Sequence, residues 1–309
     1  MRDESQLFDQ VDEFVGALAQ CQALGIKVTS ARENELILEL PYSSGIVGNP
    51  DTQVIHGGAI TTLMDTTAGA AVLCAMPDFE LCPTLDLRVD YMRSAKPGQA
   101  VYARASCYRV TSNILFMRCE AYQVDRTVAH CVATFMRMGP KGIPSLEFMT
   151  KDVKLPAFDL PEGSCEKVDF VSLRDHAAAS GDFDAFVKAI PYAQHIGVEF
   201  EGPSLCMFKL NRKASNLGNP ILPAIHGGVL GGFMEMSGAL HLLASKPSPN
   251  FPKIIDFSVD YLRAGQDKDT FAHCVVTRQG GRIANVEVHA WQDDQDKPIA
   301  LARAHFLLE

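Results

Sequence analysis

The sequence predicts an α+β protein built as two tandem modules, in each of which a curved antiparallel sheet wraps a long central helix. First, the chain repeats itself. Ile55-His56-Gly57-Gly58 returns as Ile225-His226-Gly227-Gly228, an offset of 170 residues that also relates Asp65 to Glu235. The same offset relates Gly48-Asn49-Pro50 to Gly218-Asn219-Pro220, and Asp86 and Asp90-Tyr91-Met92-Arg93 to Asp256 and Asp260-Tyr261-Leu262-Arg263. Second, each histidine opens a run that is apolar nearly all the way round, and a helix of that kind must be covered on most sides. Third, strand-like segments precede and follow each run, so helix and sheet are segregated within a module.

The elements follow in order. Leu7, Val11, Phe14, Val15, Leu18 and Ala19 lie at helical spacing, which predicts one leading helix to Leu24 with Gly25 as its cap. Ile26 to Thr29 and Leu36 to Leu40 read as a hairpin about the polar turn Arg32-Glu33-Asn34, and 41–52 reads as loop. The central helix spans Gly57 to about Ala75. Leu85, Leu87, Val89 and Tyr91 then alternate with polar residues, and three more strands are expected near 100–110, 114–124 and 128–137. The Pro-rich stretch from Gly139 to Gly163 reads as linker. Short helices around 173–179 and 183–190 lead into Gly197, the counterpart of Gly25, and the module repeats, with its helix at Gly227 to Ala244. The expected units are residues 1–140, a linker with a short helix at 141–181, and 182–309.

At 309 residues the chain can bury a core in each half. A net charge of −9 argues against a nucleic-acid partner. No apolar run reaches bilayer length, and the N-terminus has no signal pattern, so the expectation is a cytoplasmic protein without a membrane partner. Nine scattered cysteines with no C-x-x-C pair suggest reduced, mostly buried thiols, and indicate neither a disulfide framework nor a metal site. Cys74, Cys131 and His241 read as structural, and the strand acids Asp86, Asp90, Asp256 and Asp260 as a solvated sheet face.

The His-Gly-Gly stretches suit acyl chemistry. The first-turn N–H groups of a helix have no internal partners and carry the positive end of its dipole. Glycines there let a substrate approach the main chain, so Gly57-Gly58 or Gly227-Gly228 could hold a carbonyl oxygen as charge develops on it. The acid nine residues on lies roughly 13 Å along the same helix and on nearly its opposite face. One helix therefore cannot serve one carbonyl with both groups. Two antiparallel copies can, the acid of each meeting the glycines of the other.

His-Gly-Gly at a helix start, an upstream Asn-Pro, an acid nine residues on and a strand ending in Tyr-Met/Leu-Arg together resemble the hotdog-fold acyl-CoA thioesterases of the phenylacetic-acid-degradation type, here in a tandem, double-hotdog form. The resemblance covers nearly all of both halves except the linker. It implies two tandem hotdog modules hydrolysing an acyl-CoA thioester between the repeats. One site would combine Asn219, His226, Gly227 and Gly228 with Asp65, the other Asn49, His56, Gly57 and Gly58 with Glu235. The acid would activate water or attack directly. Thr84 matches a family hydroxyl that helps place water, whereas its counterpart is Ile254, which favours the Asp65 site. Glutamate at 235 occurs in a related branch that usually has threonine one turn later, where this chain has Ala239. Arg93 and Arg263 could meet coenzyme A phosphates, though an exposed strand-end arginine needs no ligand. Coenzyme A would enter only as part of the substrate, with no other cofactor, and the family implies a homodimer.

Two other readings compete. Asp51, five residues before His56, mimics the Asp-x-x-x-x-His spacing of hotdog hydratases, but Ile221 stands there in the second copy. A non-catalytic acyl-CoA-binding protein would keep the pocket without turnover, and the acids retained in both halves argue against it.

Overall fold

The computed structural model describes residues 3–139, 146, 167–202, 207–219, 223–245 and 251–308. Most of the expected linker, together with Pro220 and Ile221, lies outside them. The first half runs α1 (Glu4–Gly16), α2 (Ala19–Leu24), β1 (Lys27–Arg32), β2 (Glu35–Leu40), β3 (Val47–Asn49), β4 (Val54–Ile55), α3 (Gly57–Ala75), β5 (Thr84–Tyr91), β6 (Val101–Val110), β7 (Ile114–Gln123) and β8 (Arg126–Met136). The second runs α4 (Phe170–Ser180), α5 (Asp184–Lys188), α6 (Pro191–Ile196), β9 (Val198–Gly202), β10 (Met207–Leu210), β11 (Leu217–Asn219), β12 (Ala224–Ile225), α7 (Gly227–Ser245), β13 (Lys253–Tyr261), β14 (Thr270–Gln279), β15 (Ile283–Trp291) and β16 (Ala300–Leu307).

One 12-stranded sheet joins the halves in the order β1-β2-β6-β7-β8-β5-β13-β16-β15-β14-β10-β9. The second half of that order mirrors the first. At the seam β5 and β13 pair antiparallel with Arg88 opposite Ser258, which are the same position of the two repeats. A pseudo-twofold axis therefore passes through that pair. The sheet is lined on its inner face by small residues, among them Ala103, Ala105, Ala121, Ala133, Ala272, Ala284, Ala302 and Ala304, all buried. Small side chains let a helix lie close against the strands.

That helix is α3 in one half and α7 in the other. By length and composition α3 could cross a membrane, yet 89% of its apolar window is buried inside the fold. Three of its buried hydroxyls are satisfied within the helix: Thr62, Thr66 and Thr67 donate to the carbonyls of Gly58, Thr62 and Leu63.

Local expectations need correcting in three places. The single leading helix is two, broken at Ala17-Leu18, where Leu18 turns extended. Tertiary packing explains the break. The first segment packs on β1 and α3, whereas α2 crosses to the other repeat, against the 3-10 turn Ala214–Asn216 and β11. A straight helix could not reach both. The second repeat answers in kind, because α6 packs on the first repeat's turn Ser44–Ile46 and on β3. Pro41 to Thr52 is not all loop, since it holds that turn and β3. The helices expected at 173–179 and 183–190 are Phe170–Ser180 and Asp184–Lys188, and α6, with Pro191 opening it and left-handed Gly197 closing it, was not expected.

Candidate active site

The two central helices cross antiparallel, in contact through backbone. A Cβ on Gly58 would fall within 2.6 Å of the Gly232 Cα, and one on Gly228 would overlap Thr62. The second glycine of each His-Gly-Gly thus serves helix contact, a correction to the expectation that both glycines clear space for substrate. The first glycine faces the opposing acid: a Cβ on Gly227 would lie 2.9 Å from Asp65 Oδ2, and one on Gly57 would overlap Glu235. The structure therefore brings each acid to the glycine end of the other repeat.

Around Asp65, which is only 5% exposed, the geometry is specific. Its Oδ2 accepts the Gly228 N–H at 2.8 Å, and its Oδ1 accepts the Thr84 hydroxyl at 3.0 Å. His226, 7% exposed, caps the same helix, its Nδ1 accepting the Gly228 N–H at 3.0 Å. Burial lowers the His226 pKa and the nearby Asp65 partly opposes this. With Nδ1 accepting, a neutral ring carries its proton on Nε2, which lies 3.0 Å from Thr66 Oγ1 and can donate to it. Asp65 Oδ2 and His226 Nδ1, 3.5 Å apart, then share a donor and form no salt bridge. Gly218 is glycine because a Cβ there would strike the His226 side chain at 2.8 Å.

Asp65, His226 and Gly227 open into a cavity of about 530 Å³. Asn219, Arg263, Tyr261 and Gly265 line it on the second-repeat side, and Phe14, Leu73, Phe79 and Phe135 on the apolar first-repeat side. Gly227 lines the cavity, while the Gly228 amide is held by Asp65. The Tyr261 hydroxyl donates to the Gly227 carbonyl at 2.7 Å, fixing that end of the helix. Sequence reasoning missed Tyr261, Thr66 and Tyr91. The repeated Tyr of Asp-Tyr-Met/Leu-Arg was a signal, since alternation places it on the inward face with Leu87 and Val89.

The Glu235 side differs. Glu235, 4% exposed, takes the Tyr91 hydroxyl on Oε2 at 2.8 Å, and that hydroxyl also pairs with Thr61 Oγ1 at 2.7 Å. Burial pushes the Glu235 carboxyl up to about 8, against the Tyr91 hydrogen bond that lowers it. His56 caps α3 through Nδ1 to the Gly58 N–H at 2.9 Å, and burial drops its pKa to about 3. Asn49 Oδ1 is turned into its own loop, accepting the N–H groups of Asp51 at 2.9 Å and Thr52 at 3.3 Å. Asp51 itself is exposed. Of the two arginines, Arg263 borders the Asp65 cavity, whereas Arg93 lies in a separate surface depression with Arg104, Tyr122 and Arg126.

The family model of the thioesterase superfamily matches residues 52–130 and again 222–299, together just over half of the chain. The medium/long-chain acyl-CoA thioesterase YigI of Salmonella typhimurium is 28% identical over 131 residues, covering 37% of this chain and 83% of its own. The chain spans 61% and 36% of the lengths of two further curated relatives it matches. Two solved structures resemble nearly the whole fold. One is the acyl-CoA thioesterase II TesB2 of Mycobacterium marinum, with TM-score 0.57, 11% identity and coverage of 94% of this chain and 97% of that one. The other is a hot dog fold protein of Alicyclobacillus acidocaldarius, with TM-score 0.55, 14% identity and the same coverages. Both support the double-hotdog architecture.

Proposed function

The chain belongs to the thioesterase superfamily, and on that premise we propose that it hydrolyses acyl-CoA thioesters in the cleft shared by Asp65 and the start of α7. One observation carries the proposal: the Asp65 carboxylate stands beside Gly227, across the seam between the repeats, at the wall of a cavity. The thioester oxygen is received by the free first-turn N–H of Gly227 and the helix dipole. The Gly228 amide and the Thr84 hydroxyl hold Asp65. Asp65 takes a proton from water as the hydroxide oxygen bonds to the carbonyl carbon. Collapse of the intermediate breaks the C–S bond, and the proton passes to the departing thiolate. His226 sets the helix start and Asn219 lines the same wall.

The apolar end of the cavity, with Phe14, Leu73 and Phe79, suits a hydrocarbon chain, and its volume falls within the range of small-molecule sites. Medium- or long-chain acyl groups fit that lining, the class named for YigI. Arg263 at the cavity rim suits the coenzyme A phosphates. No disulfide joins the seven cysteines among the described residues, which is compatible with the cytoplasmic location we propose. A homodimer is part of the proposal on the family resemblance, and light scattering measures it.

The hydratase reading has the weaker support, because the acid it needs, Asp51, is exposed, with its backbone N–H donated to Asn49 Oδ1. The test is thiol release across acyl-CoAs of increasing length, with Asp65→Asn beside the parent. We expect turnover by the parent and a fall of about 10²-fold or more in the variant, the scale of losing a general base. Parent-like hydrolysis by a folded Asp65→Asn protein would falsify the assignment.

A further inference from the structure

We infer that the two clefts between the repeats are not equivalent, and that only the Asp65 cleft binds and turns over substrate while the Glu235 cleft is a closed copy. The inference rests on the proposed function and deepens it. Four exchanges between equivalent positions point the same way.

The first is the acid. Asp65 is short enough to sit on the Gly228 N–H and keep the Gly227 end open to the cavity. Glutamate at 235 carries its carboxylate farther, so that Oε1 lies over the Gly57 Cα and Oε2 is taken by Tyr91. The carboxylate occupies the approach to the helix start it would have to serve. Second, the Thr84 hydroxyl that holds Asp65 is replaced by Ile254, which has no polar group. Third, Thr66, the partner of His226 Nε2, is replaced by buried Met236, so the matching link from His56 cannot form.

The fourth exchange closes the cleft. Helices α2 and α6 are counterparts, six residues each and ended by left-handed Gly25 and Gly197. Counting back from those glycines, Gln20 on one corresponds to Tyr192 on the other. The Tyr192 ring is 0% exposed and stacks on His56, centroids 4.6 Å apart and planes 18° apart. Its hydroxyl lies 2.5 Å from where a Cβ on Gly232 would be, and 3.0 Å from one on Gly58. The residue matching Gly232 in the first repeat is Thr62. A large ring thus stands opposite glycine on the Glu235 side, and a smaller amide is the counterpart where the helix carries threonine. Such complementary volumes indicate a wedge that the helix crossing has been shaped to accept. Glu235, held largely protonated at neutral pH by burial, is also a poor base.

The experiment titrates the intact protein with the thioether analogue of decanoyl-CoA by calorimetry, and measures decanoyl-CoA hydrolysis by the parent, Asp65→Asn and Glu235→Gln. Glutamine keeps an acceptor for Tyr91. We expect one analogue per chain, a fall of 100-fold or more for Asp65→Asn, and a change under threefold for Glu235→Gln. Two analogues per chain, or a Glu235→Gln loss matching that of Asp65→Asn in a protein of parental melting temperature, overturns the inference and leaves the thioesterase reading in place. One analogue bound without thiol release from any acyl-CoA does the reverse. No binding removes both.

Discussion

The Gly228 amide shows how one backbone donor can order several side chains. It is shared by Asp65 Oδ2 and His226 Nδ1, at 2.8 and 3.0 Å, so carboxylate and imidazole are positioned by the same atom. Thr84 fixes the other carboxylate oxygen. Thr84→Val should leave the fold intact and cost about 1 kcal/mol from one lost hydrogen bond. Its kcat should fall roughly tenfold at little change in KM, since about 1.4 kcal/mol at the transition state is tenfold in rate. Steady-state kinetics and a melting curve together check this, and an unchanged kcat removes Thr84 from the site. Glu235 gives a pH prediction. Its folded carboxyl, raised to about 8 from the ordinary 4.5 by burial, binds protons more tightly than the unfolded one. The native state therefore holds the extra proton between those values, so stability falls as pH rises from about 4.5 to 8 and is flat above. Glu235→Gln removes that slope. The melting temperature of the parent should drop relative to the variant between pH 5 and 8, and parallel curves would contradict the burial argument.

At the level of elements, the contact between α3 and α7 explains why glycine recurs where it does. Backbone meets backbone at Gly58 and Gly232, and at Gly228 and Thr62. Gly69, by contrast, has room: a Cβ would meet only the Phe135 ring, at 3.4 Å. The two glycines should respond with opposite sign. Gly228→Ala must force the helices apart and should destabilise by about 2 kcal/mol or more. Gly69→Ala should gain up to about 1 kcal/mol from helix propensity, offset in part by contact with Phe135. Urea denaturation of both variants measures the pair, and equal losses would mean that the helix crossing is not the tight point.

Across the whole molecule, the cavity belongs to neither repeat alone. Its polar wall comes from the second, with His226, Gly227 and Arg263, and its apolar end from the first, with Phe14, Leu73 and Phe79. Phe14 and Phe79 meet edge to face with centroids 6.2 Å apart. Phe79→Ala should lengthen the apolar end, raising kcat/KM for longer acyl-CoAs relative to shorter ones several-fold. A methylene added to an apolar site contributes about 0.8 kcal/mol. A chain-length profile identical to the parent's would place the acyl chain elsewhere. The swapped helices α2 and α6, each packed on the opposite repeat, make the two halves interdependent, so loss of either should remove the site.

The sequence by itself determined the duplication, the class of the central helices and of the strands that follow them, and the pairing of acid with glycine. Identical offsets between the repeated motifs of this one chain require two equivalent helices, and a buried carboxylate on each needs a partner its own helix cannot supply. Thr84 was legible only through the family resemblance, since its counterpart in the second repeat, Ile254, has no hydroxyl. Tertiary structure alone decided which glycine faces substrate and which faces the other helix, because one dipeptide meets a carboxylate on one side and backbone on the other. It alone broke the leading helix at Leu18, where packing on two different repeats outweighs a continuous helical pattern. It also placed Tyr192 against His56, a contact made between distant segments and set by how a short helix crosses the seam, which no local spacing encodes.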